Sequence, residues 1–337
     1  MRACPNCFQD HYLERDVLAP LLGETGTCDF CGATDKQLFD PVQLRDRFES
    51  LIGLYHEDGA GILLAELLKQ EWKMFSDLSV AVASRLLSSI FEDPKIGTQR
   101  FVASQGGTTG GLDSWTIFRE ELLHQNRFFV RSPLDLYQLR RLLKYLSVGN
   151  DALPPRLFRA RIQETPKPYT LAEMGAPPQE KTSSGRVNPP GIPYLYLANE
   201  ALTAISEVRP QVGELITVAE FRRTKTLLIA DLRNPRAAAS PFKVDEEELQ
   251  ALRQYLAFFD QLGMELTRPI DPKTAHIEYL PSQYLCELMK DCNFDGVMYR
   301  SSVSTGTNVA LFDPTLAEAI SVAVHRVTYV DVTTHIE

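Results

Sequence analysis

Two sets of residues in this chain have types and spacings that can do chemistry. The first is Cys4-x-x-Cys7 followed by Cys28-x-x-Cys31, four of the six cysteines, placed within the first 31 residues. A pair of thiolates two residues apart closes on one ion through a tight knuckle. Two such pairs complete tetrahedral coordination and leave no open position, so the pattern reads as a structural zinc site. Pro5 and Gly32 suit the knuckles, because glycine tolerates the tight backbone there. A thioredoxin-like redox motif would need one pair in a βαβ setting, and no such setting surrounds these two. Cys286 and Cys292 stand apart in an apolar segment and read as small buried hydrophobes.

The second set is scattered over the C-terminal half. Arg159 interrupts the strand-like run Leu157-Phe158, with Arg161 as its competitor. Gly185-Arg186-Val187-Asn188-Pro189-Pro190-Gly191 is a rigid turn presenting Arg186 and Asn188. Tyr196 falls in a strand, Glu207 eleven residues later on a helix, and Arg300-Ser301-Ser302 ends another strand. Arginines beside an aromatic and a carboxylate suit an anionic ligand with a planar ring, such as a nucleotide. Each residue also has a plain structural reading: Arg159 as an ion-pair partner, Tyr196 as a core aromatic, Glu207 as solvated helix surface. No Ser-His-Asp arrangement, G-x-S-x-G elbow or histidine cluster is present.

The elements that must position these residues follow from periodicity. Apolar residues repeat at helical spacing over 41–58, 62–75, 78–91, 113–124 and 132–146, the last with Ser132 as N-cap, Pro133 at N1 and Asp135 as a capping-box acid. The glycine-rich stretch 106–111 lacks a following Lys-Ser/Thr and reads as a connection, not a phosphate loop. The helical pattern breaks at 149–155. Beyond it, strands are expected at 157–162, 194–198, 215–221, 226–231, 296–299 and 309–312, with those at 215–221 and 226–231 as a pair. Helices are expected after Asn199 as N-cap, over 245–262 and over 282–290. The polar stretch 165–184 reads as a loop or lid. Short mixed elements of this kind imply α+β. Three domains result: a Cys4 module at 1–40, a helical domain at 41–150 and an α+β domain at 151–337.

Composition limits the function. The 337 residues carry 35 Lys and Arg against 44 Asp and Glu, a net charge of −9, and no segment is basic. That disfavours non-specific nucleic-acid coating. The local cluster Arg127, Arg131, Arg140, Arg141 and Lys144 reads as a solvated helix face. No run approaches the ~18 apolar residues of a membrane span. The first residues lack an apolar signal region, so the chain is expected in the cytoplasm.

The ordered motifs Gly185 to Gly191, Tyr194-Leu195-Tyr196-Leu197-Ala198 and Thr203-Ala204-Ile205-Ser206-Glu207-Val208-Arg209 resemble the RES domain family. So do Phe294-Asp295-Gly296-Val297-Met298-Tyr299-Arg300-Ser301-Ser302 and Asn308-Val309-Ala310-Leu311-Phe312. The resemblance covers about 151–335, and the region ahead of it is more loosely similar to HEPN-like extensions of such domains. It implies an ADP-ribosyltransferase-like fold and an enzyme that destroys NAD by cleaving its nicotinamide–ribose bond, as glycohydrolase, phosphorylase or transferase. It also implies a toxin or defence role with an antitoxin partner; a homodimer is a further expectation. On this resemblance Arg159, Tyr196, Glu207 and Ser301 are catalytic, Arg186, Asn188 and Ser302 bind substrate, and zinc is structural. Arg159 and Arg186 would hold the pyrophosphate and ribose side, Tyr196 would flank the nicotinamide, and Glu207 would face the ribose. Two rivals stand beside it. Arg119 and His124 have the spacing of a HEPN ribonuclease motif, and the pocket could bind a nucleotide without cleaving it.

Overall fold

The computed structural model describes residues 1–104, 110–148, 153–268, 270–271 and 273–330. Most of the 106–111 connection and the break at 149–152 lie outside the described residues. The chain forms two compact units, Met1–Ile117 with Asn234–Gln261, and Phe118–Arg233 with Leu262–Glu337. Residues 234–261, read from sequence as part of the C-terminal domain, therefore pack with the N-terminal unit.

In the first unit the strands β1 (Thr25–Gly26) and β2 (Lys36–Gln37) pair antiparallel beside the cysteine knuckles. The helix Val80–Phe91 matches its periodicity and starts on Ser79, whose hydroxyl accepts from Val82 N at 3.3 Å. The all-helical expectation for 41–150 is corrected at two places. Helix Arg45–Ile52 stops early, and after Gly53-Leu54 nine residues form β3 (Tyr55–Leu63), antiparallel to β4 (Arg100–Ala103). Gly59 and Gly61 weaken a helix there. A Cβ on Gly61 would also lie 2.2 Å from the Phe101 carbonyl, so the strand contact itself requires glycine. The helix expected at 62–75 is correspondingly shorter, Leu64–Trp72. Phe8, Phe39, Phe48, Phe75 and Phe242 form an aromatic core with centroid separations of 5.0 to 6.4 Å. The single helix expected over 245–262 is two, Glu246–Gln254 and Leu256–Thr267, broken at buried Tyr255, whose ring lies against Gly111.

The second unit is built on a sheet. Its strands are β5 (Ser147–Val148), β6 (Leu157–Ile162), β7 (Leu195–Ala198), β8 (Leu215–Arg223), β9 (Ile229–Asp231), β10 (Gly296–Arg300), β11 (Thr307–Leu311) and β12 (Ala317–Arg326). Among the described residues they run in the order β12-β8-β6-β7-β11-β10-β9-β5. Among the described residues only β9 and β10 pair in parallel, so the sheet is mixed. The strands at 215–221 and 226–231 exist but do not pair with each other: β8 lies between β12 and β6, and β9 between β10 and β5. β12 has no counterpart in the sequence reading.

Alternate strand positions feed two clusters, as strand geometry requires. Leu157, Leu195, Leu197, Phe221, Val309 and Leu311 belong to the larger. Ala160, Ala198, Ala204, Ile216 and Val218 form the smaller, in which Ala204 of the helix Ala201–Glu207 packs against the sheet. Two expected caps are corrected. Asp135, not Ser132, caps the helix Leu136–Leu143, accepting from Gln138 N at 2.9 Å. Asn199 precedes the N-cap Glu200, and its side-chain oxygen instead accepts from Thr307 N at 2.8 Å, tying the helix start to β11. The loop 165–184 is anchored, since Met174 is fully buried in the larger cluster and Tyr169 N donates to Thr217 Oγ1 at 3.2 Å.

Candidate active site

The ladder between β6 and β7 is a single pair, Phe158 with Ala198. Beyond it the strands part, and the Arg159 guanidinium fills the gap, donating from Nη1 to the Tyr196 carbonyl at 3.0 Å. At this opening lies a cavity of about 280 Å³ lined by residues of β6 and β7, the helix Ala201–Glu207, Tyr299 of β10 and Asn308 of β11. Arg159, Tyr196 and Glu207 all line it.

Arg159 is a half-buried cation with little to hold it. Burial first, and then the charge of Arg161, pull its pKa down to about 10, so it stays protonated at neutral pH. Its Nε is buried and, among the described residues, has no hydrogen-bond partner. A buried donor left unpaired costs free energy unless a ligand satisfies it. Arg161 is occupied elsewhere, donating to the Glu173 carbonyl at 2.6 Å and lying 4.3 Å over the Tyr169 ring.

Glu207 is held through one oxygen. Its Oε1 accepts from Ser301 Oγ and from Asn308 Nδ2, both at 2.6 Å. Ser301 Oγ itself accepts from Val303 N at 3.2 Å and Ser304 N at 3.1 Å. With both acceptor positions taken by backbone donors, the hydroxyl proton is left to point at the carboxylate. Behind this loop, Gly306 lies so close to the helix that a Cβ there would meet Thr203 Oγ1 at 1.9 Å.

Tyr196 contributes a wall. Its hydroxyl donates to Asn188 Oδ1 at 2.7 Å and accepts from Val187 N at 3.1 Å, and burial raises its pKa above the usual phenol value. The phenol is neutral and committed, which removes it from proton transfer. Asn188 is 3% exposed, and its amide donates to the carbonyls of Ser183, Pro189 and Ile192. It clasps the 185–191 turn. Gln283, on the helix Leu280–Asp291, reinforces that clasp through the Gly185 and Asn188 carbonyls at 2.7 and 3.0 Å. Arg186 lies 5.3 Å over the Tyr279 ring and donates to the Glu265 carbonyl at 3.4 Å.

The structure therefore brings Arg159, Tyr196 and Glu207 to one cavity, with Ser301 one hydrogen bond behind the carboxylate. Arg186, Asn188 and the exposed Ser302 do not line it. Sequence reasoning passed over Tyr299 and Asn308, which do. Asn308 had a signal: a buried amide in the otherwise apolar run Val309-Ala310-Leu311, facing Tyr299 across the ladder.

Arg119 and His124 do not assemble a second centre. Arg119 pairs with Glu265 at 3.1 Å and Glu278 at 3.0 Å, while His124 is exposed beside Glu120 at 3.9 Å. In the basic cluster Arg140 pairs with Asp291, Arg141 lies 6.0 Å over Tyr137 and Lys144 4.7 Å over Tyr145.

The four N-terminal sulfurs lie within 4.8 Å of one another, with Cys4–Cys31 and Cys7–Cys28 at 3.5 Å. A tetrahedron with metal–sulfur bonds of ~2.3 Å has edges of roughly 3.8 Å, so the set fits one metal ion. Both knuckles are formed as expected: Pro5 opens a 3-10 turn, and Gly32 takes a left-handed φ of 74°. Cys286 is buried as expected, and Cys292 is half-buried.

The Arg159 guanidinium and the Glu207 carboxylate thus line one cavity at the split of a mixed sheet, the candidate small-ligand site of this domain. The model of the RES domain family matches residues 156–334, more than half of the sequence, and the chain belongs to that family. Among solved structures, a chain of the M. tuberculosis MbcT-MbcA toxin-antitoxin complex is similar at 15% identity and a TM-score of 0.34, covering 57% of this chain and 94% of that one. No curated protein matches the sequence. Among the described residues no helix is long and apolar enough to cross a membrane.

Proposed function

We propose that the C-terminal domain degrades NAD by breaking its nicotinamide–ribose bond. The observation that carries this reading is the pairing, in one cavity, of a half-buried Arg159 whose buried Nε has no partner among the described residues with a Glu207 fixed through a single oxygen. About 280 Å³ is at the low end of ligand pockets and suits a heterocycle with its sugar better than a whole dinucleotide. Membership of the RES domain family supports the same substrate.

The chemistry suits these groups. As the C1′–N bond lengthens, its electron pair goes to the pyridinium ring, which leaves as neutral nicotinamide. Positive charge builds on C1′ and the ring oxygen, as in other glycosyl transfers. A carboxylate already oriented toward the sugar stabilises that charge without reorganising. Arg159 offers the anionic side of the ligand a charge-assisted donor. The acceptor at C1′, water, phosphate or a macromolecule, loses a proton as it adds. No strong general acid is needed, which agrees with the committed Tyr196 hydroxyl.

On this reading 151–337, apart from the segment 234–261 that packs with the first unit, is the catalytic domain with an ADP-ribosyltransferase-like fold; 1–40 is a zinc module and 41–150 a HEPN-like extension whose last part, from Phe118, packs with the second unit. A toxin or defence role in the cytoplasm, restrained by an antitoxin, completes the proposal. Incubating the pure chain with NAD, with and without phosphate, and weighing the products tests it. Nicotinamide release is expected, with ADP-ribose or its 1″-phosphate showing the acceptor. Intact NAD throughout would leave a binding module instead.

A further inference from the structure

Tyr299 brings a second phenol to the cavity, and unlike that of Tyr196 it is uncommitted. The residue lines the cavity and is 6% exposed, and among the described residues its hydroxyl makes no hydrogen bond. Met298 before it packs into the larger cluster, so strand alternation turns Tyr299 to the other face, beside its ladder partner Asn308. Burial above all, then the nearby Tyr196 and Glu207, holds its proton well beyond the ordinary phenol range. The group is a neutral donor throughout the physiological pH range. A buried hydroxyl without a partner costs free energy until a ligand satisfies it, and a purely structural ring here would do better as phenylalanine.

The ladders fix where along a ligand this hydroxyl falls. Phe158, Ala198, Asn308 and Tyr299 stand opposite one another in one row across β6, β7, β11 and β10. Arg159 follows Phe158 at the β6 end of that row. Glu207 is held by Asn308 on β11, and Tyr299 closes the row one strand further on, ~4.8 Å beyond. An anionic group at Arg159 and a sugar at Glu207 leave the far end, at Tyr299, to the base that the sugar carries. On a nicotinamide ligand that base is a pyridine ring whose hydrogen-bonding substituent is the carboxamide.

We propose that the Tyr299 hydroxyl donates to the carboxamide oxygen of the departing base, selecting a ring with an acceptor there and favouring its departure. This inference rests on the reading of the cavity as an NAD-cleaving site. While the C1′–N bond is intact the ring is a pyridinium and draws electrons away from the carboxamide. As the bond breaks, its electron pair passes to the ring nitrogen. The ring becomes neutral, and the carboxamide oxygen becomes a better acceptor. The hydrogen bond therefore strengthens toward the transition state, and a contact of that kind acts on kcat. No proton leaves Tyr299, whose tight hold on it suits a donor and not an acid.

The test is a cycle of two enzymes and two substrates. Wild type and Tyr299→Phe are each given NAD and pyridine adenine dinucleotide, which lacks the carboxamide, and base release is followed by mass at enzyme excess. Tyr299→Phe keeps the ring, and its melting temperature should equal or exceed that of the wild type, because only an unpaired hydroxyl is deleted. With NAD it should lower kcat roughly tenfold, and with the pyridine substrate leave the rate within about twofold. Pyridine is the poorer leaving group, which slows both enzymes alike and cancels in the cycle. A wild type that releases nicotinamide while Tyr299→Phe slows both substrates equally, or neither, overturns this inference alone. A wild type that leaves NAD intact overturns the reading of the site, and this inference with it.

Discussion

Ser301 and Asn308 hold the same oxygen of Glu207, each at 2.6 Å, from two different segments of the chain. Among the described residues no hydrogen bond reaches Oε2, so one oxygen fixes the carboxylate and the other carries no protein partner. Glu207→Gln keeps the shape but gives up the charge, and is expected to slow nicotinamide release by about 10²–10³-fold, the range seen when one preorganised electrostatic group is lost. Asn308→Ala and Ser301→Ala should each slow it by roughly tenfold through kcat. The double variant should lose less than the product, because both act on one oxygen. Rates of nicotinamide release, with spectra showing an intact fold, decide it.

Arg159 leads to an expectation of opposite sign for stability and activity. Burial lowers its pKa from the ordinary guanidinium value to about 10, so the folded state holds this proton less tightly than the unfolded one. The group therefore weighs against folding at every pH below about 10, and that burden lifts as pH rises beyond about 10 toward the ordinary guanidinium value. Arg159→Met removes a desolvated cation from an otherwise packed strand. It should raise the melting temperature by a few degrees at pH 7 while abolishing NAD loss. A thermal melt lower than wild type would mark Arg159 as a structural ion instead. Activity should show no loss attributable to this group between pH 5 and about 8.

How much of this was legible beforehand depended on the local signal. β6 was found at its observed bounds because Leu157 to Ile162 alternates and both ends are marked. β3 was not, because Tyr55 and Ile62 happen to fall at helical spacing, and only the contact with Phe101 decides for a strand. β12 escaped because an edge strand exposed on both faces lacks the burial contrast that periodicity detects. Within the site, the opening between β6 and β7 is a property of the pairing, so no sequence pattern could show that Arg159 reaches the Tyr196 carbonyl. Asn188 read as a ligand-facing amide, yet its bonds are all consumed by its own turn.

That turn carries the next prediction. A Cβ on Gly185 would lie 2.4 Å from Asn188 Oδ1 and 2.6 Å from the Tyr196 hydroxyl, separations that packed atoms do not adopt. Gly185→Ala must displace the clasp or the ring. Overpacking of this kind costs about 1–3 kcal/mol. The melting temperature should fall by several degrees and nicotinamide release should fall with it, since Tyr196 is a wall of the cavity. A variant with wild-type stability and rate would show that the turn yields without cost.

The cysteine cluster is the place where chemistry and folding meet. Three of its thiols are buried, and the segment around them is short of regular structure, with β1 and β2 only two residues each. Phe8 follows Cys7 directly and stacks into the aromatic core, so the knuckle sets the position of that ring. Closing four thiolates on one ion couples metal affinity to the folding of this segment. Metal analysis of protein purified without chelator should give about one zinc per chain. Cys7→Ser should lower that content and make the first forty residues sensitive to protease, with the near-ultraviolet signal of the phenylalanine core reduced. A metal-free wild type with the same protease resistance would mean that packing alone holds the knuckles closed.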